Sequence, residues 1–493
     1  MSPLFSRPAA PAEGGVPVWL RPLGLLAGAG LLLSLVPVLA VGFYIHPFGD
    51  DYIFGVPAYA ALQSGDSLLA ALLNTVRVYW FGWQGTFTGV LAMELMPDAF
   101  LWRGYAATPF VMAGLLILSA GKLLHTGVCR WLGGSRWYWL PLWAGLSFLM
   151  VQCMPDQAQS LYWWNGAALY TLFFALMLLL MDRLANLSLA GGRPRRRRTL
   201  LAECAVLAVL VSGGNFVTGL LTGLLLGLYW LAVLIWDRPR WRGATLLLAL
   251  YAAGFAVCLA APGNRVRQGT GTGLSPADAI LRSLEQGWDD LTGLATPVVW
   301  AVLLLLVPVL WKLSERAPIP FSWPLAAPVL AFLLLSAQNA PHFYTMGEAG
   351  PGRIRDIVYF FYLCALMAVE FYLLGWLHRR WKGPGPRFIA ACTALAAALL
   401  AVILWKNAPW LTAGKAAAAL ADGSLAQYHQ LMLERETQYR DPDQARVYYA
   451  PAMGAQPRLV FVYSVDDTDP EAFPNIAARN FFGKEEVACR PDG

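Results

Sequence analysis

The sequence predicts an all-α polytopic membrane protein with about 11 transmembrane helices, on three observations. Hydrophobic residues make up 58% of the 493 residues and charged residues only 13%. The mean hydropathy is +0.51. Apolar runs close to the roughly 20 residues that cross a bilayer recur from Trp19 to about Lys406. A chain of this composition has too little polar surface for a soluble globule, which excludes soluble enzymes and soluble binding modules.

The first run, Trp19 to Tyr44, carries no charge after Arg21. It exceeds the roughly 7–15 residues of a signal-peptide core, so it is expected to be an uncleaved first helix. Further spans are expected near 99–121, 137–154, 161–181, 200–213, 215–236, 244–261, 295–311, 321–337, 357–377 and 388–405. The spans at 200–213 and 215–236 meet at Ser212-Gly-Gly-Asn215, where paired glycines and a polar Asn predict a break or a re-entrant hairpin. The seven cysteines show no CxxC pairing and mostly lie in apolar runs, so neither a metal centre nor a disulfide framework is expected.

A net charge of +6 would suggest nucleic acid in a soluble protein. Here the placement of the charges decides, and no nucleic-acid partner is expected. Alternate connections carry Lys122, Arg130 and Arg136; Arg183 and Arg193 to Arg198; Arg238, Arg240 and Arg242; Lys312 and Arg316; and Arg379, Arg380 and Lys382. The positive-inside rule makes this set cytoplasmic, together with the N-terminus. The Arg195–Arg198 run reads as a topology anchor in preference to a headgroup site. The remaining connections, 45–98, 155–160, 262–294, 338–356 and the tail 407–493, then face outward. The chain divides into a transmembrane domain, 1–406, and a small outer C-terminal domain, 407–493. In the first outer loop, Leu68, Leu69, Leu72, Leu73, Val76 and Trp80 recur at helical spacing and predict an interfacial helix. In the tail, Val447-Tyr-Tyr449 and Leu459 to Tyr463 read as short strands, giving an α/β segment.

Nearly all polar residues that are not topology anchors fall on the outer side. Asp50 and Asp51 come soon after the first span, where the chain first meets water. An Asp at such a point either caps the next helix or acts as a base. Arginines are few outside by the positive-inside rule, so the pairs Arg265, Arg267 and Arg353, Arg355 point either to an anionic ligand or to interfacial salt bridges such as Arg355 with Glu348. A carboxylate near such cations suits glycosyl transfer from a lipid phosphate: the acid takes the acceptor hydroxyl proton and the cations stabilise the departing phosphate. Trp83, Gln84, Trp163, Trp164, Asn165, Asn215, Asn264 and His342 complete the candidate substrate-binding set, although Trp163-Trp164 reads more readily as an interfacial belt than as a sugar platform. Adjacent acids facing a phosphate would also suit a divalent cation, Mg or Mn, held by Asp50 and Asp51; no other cofactor is indicated. Glu370, inside the tenth span, is the one ionisable group that favours transport.

The order of Gly49-Asp-Asp-Tyr52, Trp83-Gln-Gly85, Gly213-Gly-Asn-Phe216, Ala261-Pro-Gly-Asn264 with Arg267, and Pro474-Asn475 before Ala478 to Gly483 resembles the GT-C class of integral membrane glycosyltransferases. It is most similar to a bacterial multi-span group of that clan. The resemblance implies a location in the bacterial inner membrane with a periplasmic C-terminus. It also implies inverting transfer of a sugar from a polyprenyl-phosphate donor, entering from the membrane lipids, to an envelope glycan or lipid acceptor. The base or metal ligand would be Asp50 or Asp51, with Asp50 preferred. The chain departs from related patterns at Thr86, where a Gly-Arg pair is expected. Two other classes stay open: a lipid-linked glycan transporter or flippase, and a non-catalytic envelope assembly protein acting through 407–493.

Overall fold

The computed structural model describes residues 16–191, 193–381, 383–451, 457–460, 462 and 466–490. Helix α1 (Leu20–Ala40) continues as a 3-10 turn to Tyr44. It packs on α6 and leaves Leu26 and Leu33 more than 70% exposed, an apolar face suited to lipid. Segment 45–98, the expected first outer loop, follows as three helices, α2 (Asp50–Ser64), α3 (Leu68–Gly82) and α4 (Phe87–Glu94). The expected stripe is there: Leu68, Leu72 and Val76 pack on the core, while Leu69, Leu73 and Phe81 of the same helix stay exposed. Apolar groups on both faces suit a helix lying between protein and headgroups.

The bundle continues with α5 (Thr108–His125), α6 (Arg136–Gln152), α7 (Trp164–Leu169), α8 (Thr171–Ser188), α9 (Pro194–Ser212), α10 (Phe216–Trp236) and α11 (Trp241–Leu259). After it come α12 (Pro262–Gln268), α13 (Pro276–Gly293), α14 (Pro297–Ser314), α15 (Ala326–Ala337), α16 (Ala340–Met346), α17 (Gly352–His378) and α18 (Pro386–Asn407). Among the described residues, 8 helical stretches are long and apolar enough to cross a membrane: Leu20–Tyr44, Gly104–Trp131, Trp164–Ser188, Phe216–Trp236, Arg238–Leu259, Pro297–Ser314, Gly352–His378 and Pro386–Trp410. The other three expected spans also form helices, α6, α9 and α15. They fall outside that set because α6 and α15 have only 17 and 12 residues and α9 opens on an arginine run. The chain is an all-α polytopic membrane protein with almost no sheet.

The break at Ser212-Gly-Gly-Asn215 is a docking point for the first outer loop. The Gly213 carbonyl accepts the N–H groups of Thr88 and Gly89, each at 3.0 Å, and so starts α4. A Cβ on Gly213 would lie 2.5 Å from the Phe87 ring and one on Gly214 2.3 Å from Phe173, so no side chain fits between the hairpin and its neighbours. Asn215 caps α10, its Oδ1 accepting the Thr218 N–H at 2.8 Å, while its Nδ2 donates to the Leu169 carbonyl at 2.8 Å.

The basic connections meet at one end of the bundle, where Arg240 donates to the Ser188 carbonyl and the Arg316 guanidinium lies over Tyr138. Lys382 lies outside the described residues. At the opposite end the polar loops meet: Asp356 bonds the segment before α7, and Arg267 reaches Gln84 in the first outer loop.

Residues after α18 form α19 (Thr412–Ala421), α20 (Ser424–Arg440), β1 (Arg446–Tyr449), α21 (Phe473–Phe482) and β2 (Glu486–Cys489). The strands pair in parallel from Arg446 opposite Glu486 to Tyr449 opposite Cys489, with α21 inside the crossover between them. The strand expected at 459–463 is not formed: Leu459 and Val460 lie in a turn, closed by the Val460 N–H on the Pro457 carbonyl, Val462 is in a bend, and Phe461 and Tyr463 lie outside the described residues. Its place beside β1 is taken by the apolar Val487-Ala-Cys489 of β2. This cap shares its core with the membrane part. Phe481 stacks on Tyr59 at 4.5 Å and packs on Tyr52 at 5.1 Å, against Gly55 of α2.

Candidate functional site

Gly49 has φ +51°, a conformation that favours glycine, and it turns the chain so that Asp50 and Asp51 become the first two residues of α2. Negative side chains are favourable at that helix end. The two acids then part. Asp51 is wholly buried. Its Oδ2 accepts the Tyr105 hydroxyl at 2.6 Å and the Phe48 N–H at 3.2 Å, and its Oδ1 accepts the Asn165 N–H at 2.9 Å. The Tyr105 oxygen in turn accepts the Trp164 N–H at 2.9 Å. Asp51 therefore ties α2 to the segment before α5 and to the start of α7. Burial pushes its carboxyl up to about 7 in spite of the three donors.

Asp50, the first residue of α2, is half-buried. Burial raises its pKa, and the positive charge of Arg353 pulls it back. Arg353, at the start of α17, donates to Gln159 Oε1 at 2.6 Å. Its guanidinium lies 5.4 Å from the Trp163 ring centre and 5.7 Å from that of Tyr170. Trp163 stacks on Phe48 at 6.1 Å. Gln159 is held by Asp156, its Nε2 donating at 2.6 Å. Asp356, wholly buried one turn beyond Arg353, accepts the Asp156 N–H and the Ser160 hydroxyl. The cation beside Asp50 is thus positioned by a polar chain that ties α17 to the segment before α7.

A second cluster adjoins. Arg267 donates to Gln84 Oε1 at 2.6 Å and lies 5.9 Å from the Trp83 ring, which is 39% exposed. Asn264 accepts the Gly85 N–H at 2.9 Å and donates to the Cys258 carbonyl at 2.8 Å. A Cβ on Gly85 would fall 1.9 Å from the Cys258 oxygen, so that turn requires glycine. His342 sits within reach of both arginines: burial lowers its pKa, and the charges of Arg267 and Arg353 lower it further, against its bond to the Glu348 carbonyl at 2.8 Å. The imidazole is neutral at pH 7.

The structure therefore brings Asp50, Asp51, Trp163, Trp164, Asn165 and Arg353 into one neighbourhood, with Arg267, Gln84 and Trp83 beyond His342. Trp164 is buried and donates to the Ala92 carbonyl, so it is scaffold and offers no exposed face to a sugar. The Asn165 Nδ2 is a buried donor that finds no hydrogen-bond partner among the described residues. Asn215 and Asn264 serve the backbone. Arg265 is exposed. Arg355 faces Asp290 at 3.9 Å, where Glu348 had been the expected partner. Thr86 is buried at the start of α4, and its hydroxyl has no partner among the described residues. A cation shared by Asp50 and Asp51 does not fit, because both Asp51 oxygens already accept N–H or O–H groups away from solvent. Among the described residues no group of three or more His, Cys, Asp and Glu could hold a metal ion.

Two features escaped the sequence reading. Glu94 is buried at the end of α4, where burial pushes its carboxyl up to about 8. The Tyr79 hydroxyl feels both Glu94 and Asp50 and is pushed up to about 12, by burial first. The signal for Glu94 was an acid at the end of an apolar helix, the same kind of signal that singled out Glu370. The other feature is a buried chain joining the cap to the first outer loop. His46 Nδ1 meets Glu436 Oε1 at 2.6 Å, and His46 Nε2 meets His429 Nδ1 at 2.8 Å. Burial works to raise the Glu436 pKa, yet the His46 contact holds it below the usual range, while burial lowers His429 to about 4.

Comparison with family models, with curated proteins and with solved structures finds no match to this chain.

Proposed function

We propose that this chain is a membrane glycosyltransferase of GT-C type. It transfers a sugar from a polyprenyl-phosphate donor to an envelope glycan or lipid acceptor at the end of the bundle opposite the basic connections. The observation that carries the reading is the meeting of Asp50 and Arg353. They come from points about 300 residues apart in sequence; the charge of Arg353 acts on Asp50, and its guanidinium lies over the Trp163 ring at the very start of α17. Asp50 is the base that takes the proton of the acceptor hydroxyl as its oxygen attacks the anomeric carbon. The bond from that carbon to the phosphate oxygen breaks, and the electron pair leaves with the phosphate. Arg353, with Arg267 beyond it, stabilises the charge gathered on that phosphate. The exposed Trp83 offers a ring face to sugar C–H surfaces, while Trp163, buried between Phe48 and Arg353, is scaffold for the cation. Asp51 positions Asp50 and takes no proton from substrate.

In this reading eleven helices cross the bacterial inner membrane, with the basic connections cytoplasmic. A transfer assay with polyprenyl-phosphate sugars as donors tests it. Asp50→Asn is expected to lower turnover by at least about 100-fold, the usual scale of a general base, with the protein still folded. Full turnover in that variant, or substrate movement without a new glycosidic bond, would replace transfer with transport.

A further inference from the structure

The basic end of the bundle holds a cavity of about 570 Å³ between α9 and α11. Arg197, Arg198 and Arg242 line it, with Leu201, Gly243 and Leu246. The three arginines are exposed, and among the described residues none of them forms an ion pair. The nearby acids are engaged elsewhere: Asp182 and Glu203 with Arg183, and Asp237 with Arg240. Trp236 and Trp241, 49% and 43% exposed, flank the same helix ends and mark headgroup depth. Leu201 and Leu246 lie about one turn further along α9 and α11, away from the arginines at the helix starts, and Leu246 is exposed.

We propose that this cavity binds an anionic phospholipid, with the phosphate between the three guanidiniums and an acyl chain along Leu201 and Leu246. Topology needs only a basic connection and is indifferent to where the charges point. Here charges from two different connections converge on one cavity, and planar guanidiniums match phosphate oxygens in pairs. An apolar wall leading from the charges toward the bilayer favours a lipid over a free anion. The bound lipid joins α9 to α11, the two helices that flank α10 and its docking point for the first outer loop.

The test uses the full, delipidated chain in detergent, titrated with dioleoyl phosphatidylglycerol and followed by native mass spectrometry. Phosphatidylcholine and inorganic phosphate are the comparison ligands. Removing three charges at roughly fivefold each predicts about 100-fold weaker binding for Arg197→Gln/Arg198→Gln/Arg242→Gln. The matched variant Arg193→Gln/Arg195→Gln/Arg196→Gln is expected to change binding by less than about fivefold. Gly243→Phe keeps every charge and fills the cavity, since a Cβ there meets only Leu201 at 3.8 Å, and it is expected to abolish binding even if the triple variant fails to fold. Equal losses in the two triple variants would reduce the effect to diffuse surface charge and overturn the site. Undiminished binding in Gly243→Phe, equal binding of phosphatidylcholine, or displacement of the lipid by millimolar phosphate would each overturn it as well.

Discussion

Replacing Asp51 by Ala removes one carboxylate and strands three buried donors: the Tyr105 hydroxyl and the N–H groups of Phe48 and Asn165. A buried donor left without a partner costs about 1–3 kcal/mol. Three of them set a ceiling near 9 kcal/mol; partial rearrangement and relief of the buried carboxyl bring the expected loss to about 3–5 kcal/mol. At roughly 1–2 °C per kcal/mol for a chain larger than a single small domain, the midpoint of thermal unfolding falls by about 3–10 °C. The assay is a thermal ramp in detergent followed by tryptophan fluorescence, with Trp163 and Trp164 beside the lesion as reporters. Asp50→Ala is the paired control. It removes a half-buried carboxylate whose burial is unfavourable, so its midpoint is expected within about 1 °C of the parent protein. An Asp51→Ala midpoint equal to the parent's, or a large fall for Asp50→Ala alone, would refute the division of the pair into scaffold and base.

The raised carboxyls also set a pH dependence. Asp51 at about 7 and Glu94 at about 8 keep their protons in the folded chain where the unfolded chain has lost them. Stability therefore falls as pH rises from about 4 to 8 and levels above that, and Glu94→Gln is expected to flatten the upper part of the fall in the same thermal assay. Gly85→Ala places a Cβ against the Cys258 oxygen and is expected to collapse the yield of folded protein in size-exclusion chromatography, whereas Gly82→Ala, with nothing within 4 Å, leaves it unchanged. Glu436→Gln removes the carboxylate that meets His46 and is expected to make the cap, residues 407–493, several-fold faster to cut in limited proteolysis. Unchanged cutting would show that the apolar contacts of Phe481 alone hold it. Arg353→Lys keeps the charge but loses the planar guanidinium that bonds Gln159 Oε1 and lies over Trp163, and is expected to lower donor retention about tenfold.

Helix positions were legible because the signal is crude and strong: every expected span from 19–44 to 388–405 overlaps a helix. The hairpin break at Gly213-Gly214 was legible as well, for paired glycines have few other uses in an apolar run. What it docks was not, because the contact runs from the Gly213 carbonyl to Thr88 and Gly89 and depends on tertiary packing. Asp50 and Asp51 look alike in sequence. Their separate surroundings come from Tyr105 and Arg353, both remote in the chain. The outer arginines divided the same way: Arg353 and Arg267 meet polar loops inside the cluster, while Arg265 and Arg355 point elsewhere, and side alone carried no information on that. The strand at 459–463 was misread because Leu459 and Val460 sit just after Pro457 in a turn, and β1 found a more distant partner in β2.

The most direct test of the account compares the isoprenoid lipids retained by the gently purified parent chain and by Asp50→Asn. Mass spectrometry is expected to find a polyprenyl-phosphate sugar on both, several-fold enriched in Asp50→Asn because binding by Arg353 and Arg267 persists while transfer stops. Retention of only a complete lipid-linked oligosaccharide, or of no isoprenoid at all, would contradict the assignment of Asp50 as the base of a glycosyl transfer.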